Sequence, residues 1–409
     1  MSGPLRSFSR FCAIAALVAI AACTTPPKGP APAPAAPVPQ APVAKNPLDH
    51  DLPSYLRLPG MSPDTVPVRV GIILPFSSSS AGTRALAQSM MKAAQLAMFD
   101  SGNRNILLMT ADEGNGGAGA ANAAEQLLSQ GAEVIVGPLF GPSVAVVAPI
   151  ARDRAVPVLA FSTEKTVAGN GAYLLSFLPE NEVARVISYA ARSGHRQFAL
   201  LAPETPYGDV AKDAFDEAVK SAHGAIVDSE RFAPNAGAVA GPASAVAKSG
   251  ADAVLIAQGG VTLRAIAPTL SLDGASRDKV KLLGTGLWND DAALAREASL
   301  LGSWYAAPAP NADAEFVNKF RAAFGAAPAP LASLAYDAVS LVALLSQGAP
   351  YHRFTTAALM DPNGFAGVNG IFRFKADGTS ERGLAVLEVT PTGPSVVSPA
   401  PTTFLGKNS

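Results

Sequence analysis

Val68-Arg69-Val70-Gly71-Ile72-Ile73-Leu74 is a short aliphatic, β-branched run, and beyond Pro75-Phe76 it meets four serines, Ser77-Ser78-Ser79-Ser80. Arg84–Phe99 then carries apolar residues at helical spacing. A strand, a turn and a helix make one unit, and the unit repeats outward along the chain. Ile106–Met109, Val134–Val136 and Val156–Phe161 read as strands, with Ala118–Ser129 and Ser143–Asp153 as helices between them. Continuous apolar strands separated by helices predict a parallel sheet covered on both faces, because only burial on both sides removes the need for a polar face.

A second series follows. Glu182–Arg192 and Asp209–Ser221 read as helices, and Phe198–Leu201, Ile226–Phe232, Ala253–Ala257, Leu282-Leu283 and a stretch near Trp304-Tyr305 as strands. Ala314–Phe324 and Leu334–Leu345 are consecutive helices. Gly370–Phe374 and Leu384–Val389, with the turn Ala376-Asp377-Gly378 between them, carry an antiparallel hairpin signal. The expected class is α/β with two lobes, each a doubly wound and mainly parallel sheet. Residues 66–178 and 307–346 are assigned to the first lobe, and 179–306 and 347–390 to the second. In such sheets a ligand sits beyond the carboxyl ends of the strands, and two lobes turn that crevice into a cleft.

The flanks read differently. Arg6 and Arg10 precede twelve apolar residues, Phe11 to Ala22, which suit a signal-peptide core and are too short to span a bilayer. Ile20-Ala21-Ala22-Cys23 reads as a lipoprotein cleavage box, making 1–22 a signal and Cys23 the lipidated residue; an ordinary secretory signal is the alternative. Residues 26–47 hold nine prolines, mostly interleaved with alanine, so 23–65 is expected to be an extended tether. Residues 391–409, rich in Pro, Ser and Thr, are expected to be a disordered tail.

Composition excludes several classes. Thirty-one basic against 32 acidic residues leave no basic footprint for nucleic acid. The mean hydropathy of +0.23 comes from alanine rather than from any later run long enough to span a membrane. Two cysteines cannot build a disulfide framework or a four-cysteine zinc site. Gly114-Asn115-Gly116-Gly117-Ala118-Gly119 fits G-x-G-x-x-G but follows the second strand, so a loop capping a helix is the better reading than a dinucleotide site. The histidines lack metal spacing, and no catalytic constellation, metal site or cofactor motif stands out. Ser77 to Ser80, at a helix start, can hold an anion. Ser143 reads as an N-cap or first-turn residue. Tyr207 and Trp288 follow strands at their carboxyl ends, where cleft walls form, although packing between the lobes explains Trp288 equally well.

Several of these stretches together resemble the type I periplasmic binding proteins of the leucine-binding branch. They are Arg69–Pro75, Thr110-Ala111-Asp112-Glu113, Val136-Gly137-Pro138-Leu139, Val156–Ser162 and Pro206-Tyr207-Gly208, in order along the chain. The resemblance implies a two-lobed, non-enzymatic protein outside the cytoplasm with a small ligand in its interlobe cleft. It also implies that Tyr207 walls the cleft. The family serine that grips a ligand carboxylate falls near Gly141, beside Pro142 and Ser143, and the companion loop becomes Ser162-Thr163-Glu164-Lys165. The acid expected to hold a ligand ammonium falls near Gly286, with Asp290 and Asp291 close, and a further tyrosine falls near Val261. The candidate ligand set is thus Ser77, Ser78, Ser79, Ser80, Ser143, Ser162, Thr163, Tyr207 and Trp288. Gly137–Phe140, Ser176–Pro179 and Gly284–Trp288 look closer to penicillin-binding protein activators, lipoproteins that switch on a peptidoglycan synthase. That sister group implies an activator at the outer membrane, with a penicillin-binding protein as partner. The alternative is the substrate-binding component of an ABC transporter, with a permease as partner.

Overall fold

A computed structural model describes residues 67–289, 291–349 and 352–405. The signal, Cys23, the tether up to residue 65, Asp290 and residues 406–409 lie outside the described residues.

The opening strand, β1 (Val68–Leu74), is buried along its whole length. β2 (Ile106–Asp112) and β3 (Val134–Val136) flank it, and β4 (Val158–Ala160) and β5 (Ala172–Leu174) extend the sheet in the order β2-β1-β3-β4-β5, all parallel. Two helices, α2 (Ala118–Ser129) and α3 (Gly141–Arg152), cover one face. The other face carries α1 (Ala81–Asp100) with two later helices that return from the second lobe. Alanine supplies much of this packing: Ala87, Ala93, Ala94 and Ala97 of α1 are all buried. Small side chains let helix and sheet approach closely, which is where the alanine excess goes.

Ser176-Phe177-Leu178 carries the chain across. The second lobe runs α4 (Pro179–Arg192), β6 (Gln197–Pro203), α5 (Pro206–Ser221), β7 (Ala225–Phe232), α6 (Ala240–Lys248), β8 (Ala253–Ile256), α7 (Gly260–Leu272), β9 (Lys281–Gly284) and β10 (Trp304–Ala307). Then α8 (Ala314–Phe324) and α9 (Ala332–Leu345) pack into the first lobe's core. β11 (Phe365–Gly367), β12 (Gly370–Phe374) and β13 (Ser380–Arg382) form a small antiparallel sheet. Finally β14 (Ala385–Thr390) and β15 (Gly393–Ser398) complete a seven-stranded sheet ordered β15-β14-β10-β9-β8-β6-β7. The chain therefore passes between the lobes three times, after β5, β10 and β13.

Three sequence expectations change. The turn at Asp377-Gly378 joins β12 to β13, whereas Ala385–Thr390 leaves to pair antiparallel with β10 in the other sheet. The segment 352–382 belongs with the first lobe rather than the second, since Phe354, Phe365, Phe372 and Phe374 are buried in that lobe's core. The tail is not disordered through 391–405: β15 pairs with β14, and Phe404 is buried with the Arg373 guanidinium 4.5 Å from its ring. Its Pro, Ser and Thr hide a strand whose stability comes from a ladder partner, not from composition.

A buried ion pair sits where the crossings meet. Arg382 Nη1 lies 3.5 Å from Asp337 Oδ2, with both side chains at or below 1% exposure. Arg382 Nε donates to the Ser176 carbonyl at 3.1 Å, and its guanidinium lies 4.5 Å from the Phe177 ring. Asp337 Oδ1 accepts from the Val368 amide at 2.7 Å. One arginine thus ties the first crossing, the third crossing and α9 together.

Candidate functional site

The carboxyl ends of β1 to β4 form one polar surface. Asp112 Oδ1, at the end of β2, accepts the Ser77 amide at 3.2 Å and the Gly114 amide at 2.9 Å. Burial alone raises the Asp112 pKa, but these hydrogen bonds outweigh it and hold the carboxyl below its ordinary value. Asn115 Oδ1 accepts the Ser79 amide at 2.8 Å and the Ser79 hydroxyl at 3.0 Å. Ser78 is buried beside the same oxygen, and Ser80 caps α1 by accepting the Thr83 amide at 3.3 Å. The serine run is therefore a loop clamped onto the β2–α2 turn, with Ser77 and Ser79 exposed.

Ser143 lies in the first turn of α3, fully buried, beside Gly116, where a Cβ would stand 3.0 Å from its hydroxyl. Glu113 is completely buried against it. Burial raises the Glu113 pKa, with the Ser143 hydroxyl and Leu139 amide opposing that shift and Asp112 adding to it. Neither Glu113 oxygen reaches a hydrogen bond of normal geometry. Ser162 is buried and accepts the Glu164 amide at 3.0 Å, whereas Thr163 is exposed. Of the first-lobe candidates, Ser77, Ser79, Ser80 and Thr163 are exposed, whereas Ser78, Ser143 and Ser162 are buried.

The second lobe brings a different set to its strand ends. Tyr207 stands in the first turn of α5, half-buried, with its hydroxyl 2.8 Å from Thr285 Oγ1 at the end of β9. Next to them Glu182, from the first turn of α4, is buried to 9% exposure and accepts the Gly286 amide at 2.8 Å. Burial pushes the Glu182 pKa up to about 7; the Gly286 bond opposes this and Glu180 adds to it. Burial first and the Glu182 charge second raise the Tyr207 hydroxyl as well.

Trp288 is a correction. Its side chain is 1% exposed, lies in the core of the second lobe and donates Nε1–H to the Gln258 carbonyl at 2.8 Å. It packs behind the sheet end beside Tyr305, bordering a cavity of about 450 Å³ with Leu294 and Pro391–Pro394, so it is not a wall between the lobes. Asp291 is also spent, in an ion pair with Arg264 at 2.6 Å. The acid near Gly286 is instead Glu182, 104 positions away along the chain, which sequence reading took only as a helix start. Acidic residues in a helix first turn are so common that nothing local marked it. Among the described residues no group of three His, Cys, Asp or Glu is placed to hold a metal ion, and no helix is long and apolar enough to cross a membrane.

With this geometry in hand, the chain can be set against known proteins. A family model described as periplasmic binding protein matches residues 67–394. The chain belongs to that family. A comparison with curated proteins by sequence finds no match. Among solved structures, a candidate branched-chain amino acid ABC transporter protein from Rhodospirillum rubrum superposes with a TM-score of 0.71 at 18% identity, over 81% of this chain and all of that one (100%). A branched-chain amino acid ABC transporter periplasmic ligand-binding protein from Burkholderia xenovorans gives 0.65 at 18% identity, over 83% and 97%. The substrate-binding protein LivJ from Streptococcus pneumoniae, in complex with isoleucine, gives 0.55 at 20% identity, over 81% and 100%. These likenesses establish the two-lobed α/β fold, and the family places the folded part of the chain outside the cytoplasm. None of these three is a penicillin-binding protein activator.

Proposed function

We propose that this chain is the solute-binding component of an ABC-type transporter and holds a small organic molecule between its lobes. The observation that carries the reading is that each lobe gathers polar side chains at the carboxyl ends of its own strands. The first gathers Ser77–Ser80 with Asn115 and Ser143; the second gathers Tyr207, Thr285 and Glu182 around Gly286. A scaffold of two sheets joined by three crossings suits closure about a hinge. The solved neighbours support transport over the activator reading. A solute that binds only the folded state raises its melting temperature, by about 2.7 kcal/mol of stabilisation at one hundred times Kd. A thermal-shift panel of amines, amino acids and aromatic acids on the full chain should contain at least one such solute. A flat response throughout, with recovery of a penicillin-binding protein after crosslinking, would replace this reading by the activator one.

From the sequence we further propose that Cys23 carries a lipid anchor and that residues 24–65 tether the folded part to a membrane. Cys23→Ala should move the protein from the membrane fraction to the soluble fraction; retention at the membrane would refute the anchor.

A further inference from the structure

Four parallel strands of the second lobe, β7, β6, β8 and β9, start in one row. Gln197 pairs with Ala225, Phe198 with Ala253, and Ala253 with Lys281. The loops that enter these strands therefore lie side by side at the foot of the sheet, the end away from the strand carboxyl ends, about 4.8 Å from one strand to the next. Backbone bonds stitch them together. The Ala225 amide donates to the Arg196 carbonyl at 2.8 Å, the Asp252 amide to the Gln197 carbonyl at 2.8 Å, and the Lys281 amide to the Asp252 carbonyl at 2.9 Å.

This foot is cationic. Residues 192–197, 220–225, 248–253 and 273–281 hold seven basic and three acidic side chains, in a chain whose formal charge is −1. Arg192, Arg196, Lys220, Lys248, Arg277 and Lys279 are all exposed. Among the described residues only Arg277 of these six has a carboxylate beside it, Asp278 at 3.8 Å. Asp252 is engaged within the foot: its oxygens accept the Arg196 and Gln197 amides, and one lies 3.4 Å from His195 Nδ1. Arg192, Lys220 and Lys248 sit in the last turns of α4, α5 and α6, where the helix dipole favours a cation. Arg196, Arg277 and Lys279 lie beyond any helix end, so the dipole does not account for them.

Nor does the fold call for this charge. In the first lobe the three corresponding loops, 100–105, 130–133 and 152–157, hold three basic and three acidic residues. At the other end of the second lobe the helix first turns carry acids instead, Glu180, Glu182 and Asp209. The foot also leaves Leu272, the last residue of α7, 87% exposed directly before the 273–281 loop. Basic side chains around a bare leucine match an anionic lipid surface, where cations meet headgroups and an apolar side chain enters the boundary. A wholly polar polyanion would gain nothing from the leucine.

We propose that the foot of the second lobe is a docking face for an anionic lipid surface, held by its six exposed cations with Leu272 at the boundary. The face lies at the opposite end of the strands from Tyr207, Thr285 and Glu182, so docking leaves those residues open and is independent of any solute held there. Attraction of this kind acts within a Debye length, so a salt wash releases it and it does not replace a covalent anchor.

Co-sedimentation with vesicles tests it, using the chain from Thr24 to Ser409, which keeps every described residue and has no cysteine to lipidate. Vesicles of equal parts phosphatidylglycerol and phosphatidylcholine should carry the chain down in low salt, and vesicles of phosphatidylcholine alone should not. Salt at about 1 M, where the screening length falls to about 3 Å, should release it. Replacing three cations together, Lys248→Glu, Arg277→Glu and Lys279→Glu, should weaken binding to the mixed vesicles by about a hundredfold or more. The same charge change in the first-lobe loops, Arg104→Glu, Arg152→Glu and Arg154→Glu, should weaken it far less. Melting temperatures close to that of the parent chain show that both variants fold. Absence of binding to the mixed vesicles, or equal losses in the two triple variants, would overturn the docking face. Salt-sensitive binding to isolated peptidoglycan with none to vesicles would overturn the lipid assignment. Unchanged affinity in Leu272→Ser would overturn the role of the leucine.

Discussion

Glu182 is a buried carboxyl steadied by one backbone amide, and its protonation should be visible in stability. Its pKa stands at about 7 in the fold against the ordinary 4.5, so the folded state binds the extra proton between those values. The sign follows: the stabilisation is complete below pH ~4.5 and is lost as pH rises through ~7, to a total of roughly 3 kcal/mol. Urea unfolding of the wild-type chain between pH 4.5 and 8 should show that decline, and Glu182→Gln should make it shallower, the buried Asp337 and Glu113 carboxyls keeping their own share. Equal slopes in the two proteins would mean that Glu182 is not the group responsible. The same residue shows the limit of reading a site from sequence. The strand-end position of Tyr207 was legible because the residue follows its own strand directly. Glu182 was not legible, because its partner lies in another strand-end loop and only the three-dimensional path brings them together. Trp288 erred the other way: a position after a strand says which end of the sheet a residue occupies, but not whether its ring turns toward the cleft or back under the sheet.

At the level of elements, the local units were the most legible. Ala118–Ser129, Val134–Val136 and Ala314–Phe324 form as their apolar spacing indicates, residue for residue. Of the late strands, β14 was legible as Leu384–Val389 though not its pairing with β10, whereas β13 and β15 were not, because each is defined by its ladder partner rather than by its own pattern. Their path matters, since it places Arg382 at the junction between lobes. Burial pushes the Asp337 carboxyl up while Arg382 opposes that shift, and burial in turn lowers the Arg382 guanidinium. Removing one partner of such a pair leaves an uncompensated charge in a dry site. Arg382→Ala should therefore cost about 3–5 kcal/mol in denaturant unfolding, and the double replacement Arg382→Met with Asp337→Leu should recover much of that. A loss below about 1 kcal/mol in the single variant would show the pair to be solvated in solution.

The folded part is an alanine-rich, two-lobed body whose lobes carry unlike chemistry at their strand ends. The first offers hydroxyls and amides around Ser77–Ser80 and α3; the second offers a carboxylate beside Tyr207 and Thr285. A ligand held between them should protect both surfaces at once. Hydrogen–deuterium exchange on the full chain, with and without the best-binding solute of the panel, measures this directly. The predicted result is slowed exchange in residues 77–80, 141–143, 205–208 and 285–287 together, with the far ends of both sheets unchanged. Protection confined to one lobe, or centred on the cavity behind Trp288 and residues 391–394, would contradict binding between the lobes.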